Sequence, residues 1–126
     1  MSIQHTQRVL VTGNGRGIGQ AIQVELIKAG HVVMGTHGWG GRHCDVTNPD
    51  EVQELFDRVK ATMGGLDVLI NNAGILDHEP FGQLTVAGIE RVFRVNVVAP
   101  LLLAQEAVGL GAKLIINVGS MYGVTG

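Results

Sequence analysis

A glycine-rich turn near the start of the chain limits its fold more than any other feature. The segment T-G-N-G-R-G-I-G runs from Thr12 to Gly19 and directly follows an apolar, β-branched run at 8–12. Apolar residues then recur at helical spacing up to Gly30, which is a typical helix stop. A bare backbone between a strand and a helix N-terminus is suited to bind the pyrophosphate of a dinucleotide. The alternative is a merely tight strand-to-helix turn.

Each glycine of this turn has an expected role. Gly13 permits the sharp turn, and Gly17 and Gly19 leave the backbone bare so that a pyrophosphate can approach the helix N-terminus. We therefore predict a cofactor-binding turn made of Gly13, Asn14, Gly15, Arg16, Gly17, Ile18 and Gly19.

Strand and helix patterns alternate along the rest of the chain. Strands are predicted at 8–12, 31–36, 43–46, 66–70 and 113–118, and helices at 17–29, 49–63 and 85–108. This alternation predicts an α/β fold with a doubly wound parallel sheet and helices on both faces. Ligands of such sheets bind beyond the carboxyl ends of the strands, so the loops that follow the strands should form one crevice.

Two details of this pattern are unusual. The third predicted strand follows the second without room for a full helix between them. Pro100 lies inside the last predicted helix, where it should bend the helix or remove a backbone hydrogen bond. The second helix has clear end signals, with Asn48 as a cap, Glu51 at the capping-box position and Gly64-Gly65 as a stop.

Composition excludes several classes of protein. The chain has 126 residues, and 45% are hydrophobic and 16% charged, which is typical of one globular domain at 1–126. A net charge of −2 gives no basic surface for nucleic acid or anionic membranes. The polar start and the lack of a long apolar run indicate neither a signal peptide nor a membrane span. The single cysteine, Cys44, fits a reducing compartment, and we expect a cytoplasmic protein.

Five sequence marks occur in one order. They are T-G-x-x-x-G-I-G, Asp45-Val46, N-N-A-G at 71–74, Asn96, and I-N-V-G-S ending at Ser120. In this order they resemble the short-chain dehydrogenases/reductases, from Val9 to about Gly123. The resemblance implies a Rossmann-type fold, an NAD(P) cofactor, and hydride transfer between nicotinamide and a small carbonyl or secondary alcohol.

The resemblance also implies roles for single residues. Asp45 would bind the adenine amine and Val46 would pack beside the ring, while the adenine ribose side would be lined by Asn72, Ala73 and Gly74. The backbone carbonyl of Asn96 would anchor a water in a proton relay, and the Ser120 hydroxyl would bond the substrate oxygen. Read without the resemblance, Asp45 is a turn residue and the asparagines are a loop cluster.

Cofactor choice is read at the end of the second strand, where an acid selects NAD. His37 and Gly38 stand there, and Arg16 and Arg42 offer positive charge, so we favour NADP over NAD although no arginine directly follows the strand. We predict no metal site, because the spacing of His37, His43, Cys44 and Asp45 matches no standard ligand pattern. Cys44 is expected to be a small buried hydrophobe.

One family mark is missing from these 126 residues. The family's general acid/base is a tyrosine followed four residues later by a lysine, but Tyr122 is followed at that position by Gly126. We expect the amino-terminal portion of a longer, homo-oligomeric reductase, inactive as this chain, with an unpaired sheet edge after the fifth strand and incomplete packing on the apolar side of the helix at 85–108. The alternatives are a compact self-sufficient variant, a dinucleotide-binding module without chemistry, and a non-functional fragment.

Overall fold

The fold is a parallel β-sheet with helices on both faces. The computed structural model describes residues 5–39 and 42–120. In chain order the elements are β1 (Arg8–Val11), α1 (Gly17–Lys28), β2 (Val32–Gly35), β3 (His37–Trp39), β4 (Arg42–His43), α2 (Pro49–Met63), β5 (Val68–Asn71), α3 (Val86–Phe93), a π-helical turn (Arg94–Val98), α4 (Ala99–Gly109) and β6 (Leu114–Asn117). The main sheet has the order β2-β1-β5-β6 and all its pairs are parallel. The predicted α/β doubly wound class is therefore confirmed.

The two faces of the sheet carry separate cores. Successive strand residues point to opposite faces, so Val9 and Val11 pack with α1 while Leu10 packs with α2 and α4. Leu55, Phe56 and Val59 of α2 and Leu103 and Ala107 of α4 form the larger core with Leu10 and Leu69. These contacts hold the carboxyl ends of β1, β5 and β6 at one edge, which is where the site lies.

The predicted third strand, 43–46, is wrong as a member of the parallel sheet. Only six residues, 36–41, separate β2 from β4, whereas a parallel crossover needs about a dozen. The chain instead folds back, and β3 and β4 form a separate antiparallel pair in which His37 is opposite His43. Cys44 then leaves the hairpin and its N–H donates to the Thr36 carbonyl over 2.7 Å. The described main sheet therefore has four strands, one fewer than predicted.

The helix predicted at 85–108 is interrupted by the π-helical turn just before Pro100. Pro100 has no N–H and its ring crowds the carbonyl four residues back, that of Asn96. The chain accommodates this with a wider turn, in which the Ala99 N–H donates to the Arg94 carbonyl, five residues back. The predicted disturbance of the helix near Pro100 is confirmed. It is a π-helical turn, which contains one residue more than an α-helical turn.

The apolar stripe predicted for this helix is largely exposed. Phe93 is 57% exposed and Leu101 68%, whereas the buried positions of α4 are Ala99, Leu103 and Ala107. The extra residue of the π-helical turn changes the helix phase, so one stripe does not run through both halves. Edge strand β6 is also open, with half of the Leu114 surface exposed. Among the described residues, no helix is both long and apolar enough to cross a bilayer.

Helix α2 begins as its sequence signals indicate, with one difference. The Asn48 side chain accepts hydrogen bonds from the N–H groups of Asp50 and Glu51, and Gly64 ends the helix with φ of 76°. Glu51, however, accepts from the Asp45 N–H at 3.3 Å, while the Asn48 N–H donates to the Asp45 carbonyl. The Glu51 carboxylate therefore ties the helix to the segment after β4 instead of closing a capping box.

Candidate functional site

The glycine turn between β1 and α1 has an open side and a packed side. Gly17 has φ of 57° and no atom within 4 Å of the position that a Cβ would take. A Cβ on Gly19 would overlap the Gly13 carbonyl, so this glycine allows α1 to approach the turn closely. Arg16, which precedes α1, makes no side-chain cap. The first N–H groups of α1 and the bare backbone at Gly17 fit an anionic group such as a pyrophosphate.

Thr12 joins this turn to the loop after β5. Its side chain is 1% exposed, and its Oγ1 accepts hydrogen bonds from the Asn72 N–H at 3.0 Å and the Ala73 N–H at 2.9 Å. The Asn72 side chain donates back to the Gly13 carbonyl at 3.2 Å. Sequence reasoning did not identify Thr12 as a positioning residue. The available signal was a hydroxyl on the last buried position of a strand, next to a loop whose N–H groups need acceptors.

Asn14 is buried and holds the segment after β2. Its Oδ1 accepts from the His37 N–H and its Nδ2 donates to the His37 carbonyl, both at 2.8 Å. The same Nδ2 also donates to the Gln23 side chain. Space for the Asn14 amide exists because Gly35 has no Cβ, which would overlap that amide. Asn14 was predicted to bind the cofactor, and the structure gives its side chain a positioning role at His37.

His37 lies over the glycine turn beside a second histidine. A Cβ on Gly15 would be 2.7 Å from the His37 ring, so the absence of a side chain there makes room for the imidazole. The Nδ1 atoms of His37 and His43 are 3.3 Å apart. Burial lowers the pKa of His37, and the charges of His43 and Arg16 lower it further. His37 is therefore the neutral base of a close imidazole pair near neutral pH.

Asp45 forms a turn with its own neighbours. Its carboxylate accepts hydrogen bonds from the Thr47 N–H at 2.9 Å and the Thr47 hydroxyl at 2.7 Å. These bonds are the main reason that the pKa of Asp45 is lowered. Val46 is half-buried and packs against the larger core. Asp45 is thus a turn residue, as its sequence read without the resemblance indicates. Its carboxylate is exposed, and its binding of adenine stays a prediction.

A cleft of about 1140 Å³ lies at the carboxyl ends of β1, β5 and β6. It brings together seven predicted site residues, which are Arg16, Ile18, Asn72, Ala73, Gly74, Asn96 and Ser120. The other predicted site residues do not line it, and these are Gly13, Asn14, Gly15, Gly17, Gly19, His37, Asp45 and Val46. Ile18, predicted as part of the cofactor-binding turn, is 65% exposed and lines this cleft. His78 and Arg91 also line it, and no sequence signal distinguished them.

Asn96 supports the loop that follows Gly74. Its Oδ1 accepts from the Ile75 N–H at 2.9 Å and its Nδ2 donates to the Ile75 carbonyl at 2.7 Å. Pro100, four residues later, has no N–H to donate to the Asn96 carbonyl. The side chain therefore positions the loop, while the backbone carbonyl is the group that the resemblance assigns to a proton relay.

A second asparagine pair connects the cleft to the sheet edge. The buried Asn71 side chain donates to the Pro100 carbonyl at 3.2 Å and to Asn117 Oδ1 at 3.1 Å. These contacts fix α4 against the ends of β5 and β6, and sequence reasoning assigned neither residue a role. Met121 and Tyr122, which the sequence predicts as loop residues on the substrate side, lie outside the described residues, as do the side chains of Trp39 and Arg42. Within 5–39 and 42–120, no group of three or more potential metal ligands converges.

Comparisons with known proteins agree with this geometry. A family profile described as short chain dehydrogenase matches residues 37–126. The chain is 38% identical over 117 residues to short chain dehydrogenase/reductase dpfgG of Gibberella zeae, covering 79% of this chain and 43% of that protein. The chain spans about half the length of the curated relatives it matches.

Solved structures give the same result. A short-chain dehydrogenase from Streptomyces avermitilis superposes with a TM-score of 0.84 at 26% identity, covering 94% of this chain and 51% of that one. A blue fluorescent protein from a metagenomic library, solved in complex with NADPH, has a TM-score of 0.77 and 30% identity, covering 90% and 56%. The ordered motifs, the parallel sheet and the matched profile together show that this chain belongs to the short-chain dehydrogenase family.

Proposed function

We propose that the cleft binds a nicotinamide dinucleotide, with its pyrophosphate on the glycine turn. The open side of Gly17, next to the uncapped start of α1, is the observation that carries this proposal. When bound, the cofactor supplies hydride transfer between nicotinamide and a carbonyl or secondary alcohol. The chain supplies binding and orientation, and the substrate is a small carbonyl or alcohol.

The site residues take the following roles in this proposal. Asn72 and Ala73, whose N–H groups donate to the Thr12 hydroxyl, line the ribose side together with Gly74. Asp45 and Val46 receive the adenine. Ser120, on the cleft wall, orients the substrate oxygen, and the Asn96 carbonyl supports a proton relay.

NADP is favoured over NAD in this proposal. His37 stands where an acid would bind the ribose hydroxyls of NAD, and Arg16 places a positive charge at the cleft. The related metagenomic protein is described in complex with NADPH, which supports the same choice.

Binding and turnover are separate expectations for these 126 residues. Reduction of a carbonyl needs a proton donor, and the sequence holds no tyrosine followed four residues later by a lysine. We therefore propose that these 126 residues bind the dinucleotide without turnover. A dinucleotide-binding module without chemistry is the second candidate, and the same sequence observation favours it.

Calorimetric titration of the chain with NADPH and NADH tests the proposal. We expect both to bind, with NADPH tighter. Gly17→Ala places a methyl group on the open side of the turn and should weaken both dinucleotides at least about tenfold, the equivalent of ~1.4 kcal/mol. Gly30→Ala is the matched control, because Gly30 also has a positive φ, 92°, with nothing within 4 Å, but lies beyond the other end of α1.

Four outcomes test these proposals. No binding of either dinucleotide contradicts the proposal, and equal loss of affinity in both glycine variants refutes the assigned pyrophosphate position. Oxidation of NADPH by the 126-residue chain with any carbonyl substrate would contradict binding without turnover. A clear preference for NAD would overturn the cofactor choice.

A further inference from the structure

The two histidines of the β3–β4 hairpin form a paired group beside the glycine turn. Their residues are opposite each other in the hairpin register, and their ring centroids are 4.0 Å apart. The Asn14 side chain bonds both the backbone N–H and the backbone carbonyl of His37 and so fixes this residue. The pair is therefore held by backbone pairing and by a buried amide, next to the turn that would carry the pyrophosphate.

Charged groups act on this pair from each side. Arg16, in the glycine turn, and His43, on β4, both disfavour a proton on His37, and burial has the same effect. Asp45 follows β4, and the charge of His43 is one cause of its lowered pKa. With His37 neutral, one Nδ1–H can donate to the other Nδ1 across 3.3 Å. Protonation of both imidazoles would put two like charges at contact distance.

We propose that the His37–His43 pair, together with Arg16, takes up a proton when it binds the 2′-phosphate of NADP(H), so that pH sets the preference between NADPH and NADH. This inference rests on the proposed dinucleotide function of the cleft. The residue at the end of the second strand of such a unit reads the 2′ position of the adenosine ribose. A phosphate monoester carries nearly two negative charges above about pH 6, whereas the 2′-hydroxyl of NADH carries none.

The direction of the pH effect follows from the proton balance. In the free chain the His37 imidazole holds a proton only below the ordinary range for histidine, because its pKa is lowered by burial and by the charges of His43 and Arg16. A bound phosphate dianion stabilises the protonated imidazole and therefore raises the pKa of His37. Between the free and bound values, NADPH binding consumes one proton, so the affinity for NADPH falls by up to about tenfold for each unit that the pH rises. NADH binding should change less than about twofold.

Calorimetry of the full chain between about pH 6 and about pH 8 measures this linkage. Titrations with NADPH and with NADH, at fixed ionic strength and in two buffers of different ionisation enthalpy, count the protons taken up. His37→Asn and His43→Asn should each remove the proton uptake beyond the contribution of the 2′-phosphate, and with it the fall in NADPH affinity as the pH rises. His5→Asn is the control, because it removes an exposed histidine before β1 and should keep the slope. Protonation of the 2′-phosphate itself affects all variants equally.

The outcomes separate this inference from the function on which it rests. A flat NADPH affinity across this range, or a slope that persists in both paired-histidine variants, overturns the inference while dinucleotide binding stands. Failure of the chain to bind NADPH or NADH at any pH refutes the proposed function and the inference together.

Discussion

Replacing Thr12 with valine tests whether one hydroxyl joins the two cofactor loops. Valine has the same shape, but the N–H groups of Asn72 and Ala73 lose their acceptor in a site where Thr12 is 1% exposed. A buried donor without a partner costs about 1–3 kcal/mol, so two donors should cost about 2–6 kcal/mol. Domains of this kind have roughly 5–15 kcal/mol of stability in total. Thr12→Val should therefore remove a large part of the free energy of unfolding.

Thr36→Val provides the matched comparison. The Thr36 hydroxyl is also buried but accepts from a single donor, the Gly13 N–H at 2.9 Å, so its loss should cost about 1–3 kcal/mol. Thr12→Ser keeps the acceptor, removes one methyl group, and should cost only about 0.8 kcal/mol. Urea unfolding followed by far-UV circular dichroism, with linear extrapolation, measures all three. A loss for Thr12→Val no larger than that for Thr36→Val would refute the reasoning.

Three further predictions concern packing, the thiol and acid stability. Gly19→Ala should destabilise the fold by at least about 1–3 kcal/mol, because the new Cβ would overlap the Gly13 carbonyl. Gly109→Ala is the control, and it should be neutral or stabilising because the space around Gly109 is open. Equal urea midpoints for the two variants would contradict this prediction. Burial raises the pKa of Cys44 to about 11, so alkylation near pH 8 should be over about a hundredfold slower in the folded chain than in urea, and equal rates would show an accessible thiolate. The side-chain hydrogen bond from Arg8 lowers the pKa of Asp67, a stabilisation that is present above the unfolded pKa of about 3.9 and lost as pH falls through the folded value. Asp67→Asn should therefore flatten the acid limb of a stability–pH curve, and an unchanged limb would argue against this pair.

Most of the fold could be predicted because its signals are local. The ends of α2 follow from Asn48, Pro49 and Gly64, whose capping preferences depend on a few neighbouring residues. The order of strands and helices follows from apolar periodicity. The hairpin at 37–43 was missed because a strand of two or three residues has too little periodicity to show which partner it pairs with.

The sequence predicted which residues form the site better than it predicted the contacts between them. The glycine-rich turn and the resemblance identified residues from distant loops that the cleft does bring together, such as Arg16 and Ser120. Contacts such as those of Thr12 with Ala73, or Asn71 with Asn117, join residues more than forty positions apart in the chain. No local pattern encodes them, since they depend on the parallel register of β1, β5 and β6.

The π-helical turn at Arg94–Val98 changes the direction in which the side chains after it face, relative to those before it. One additional residue in an α-helix turns everything after it by about 100°. Because of it, Asn96 can reach the Ile75 backbone while Leu103 and Ala107 point into the core. Deleting one residue from the turn would restore regular helix but force a choice between the loop contact and the core contact. The number of residues in this segment therefore cannot change by even one, although four of its five residues are exposed.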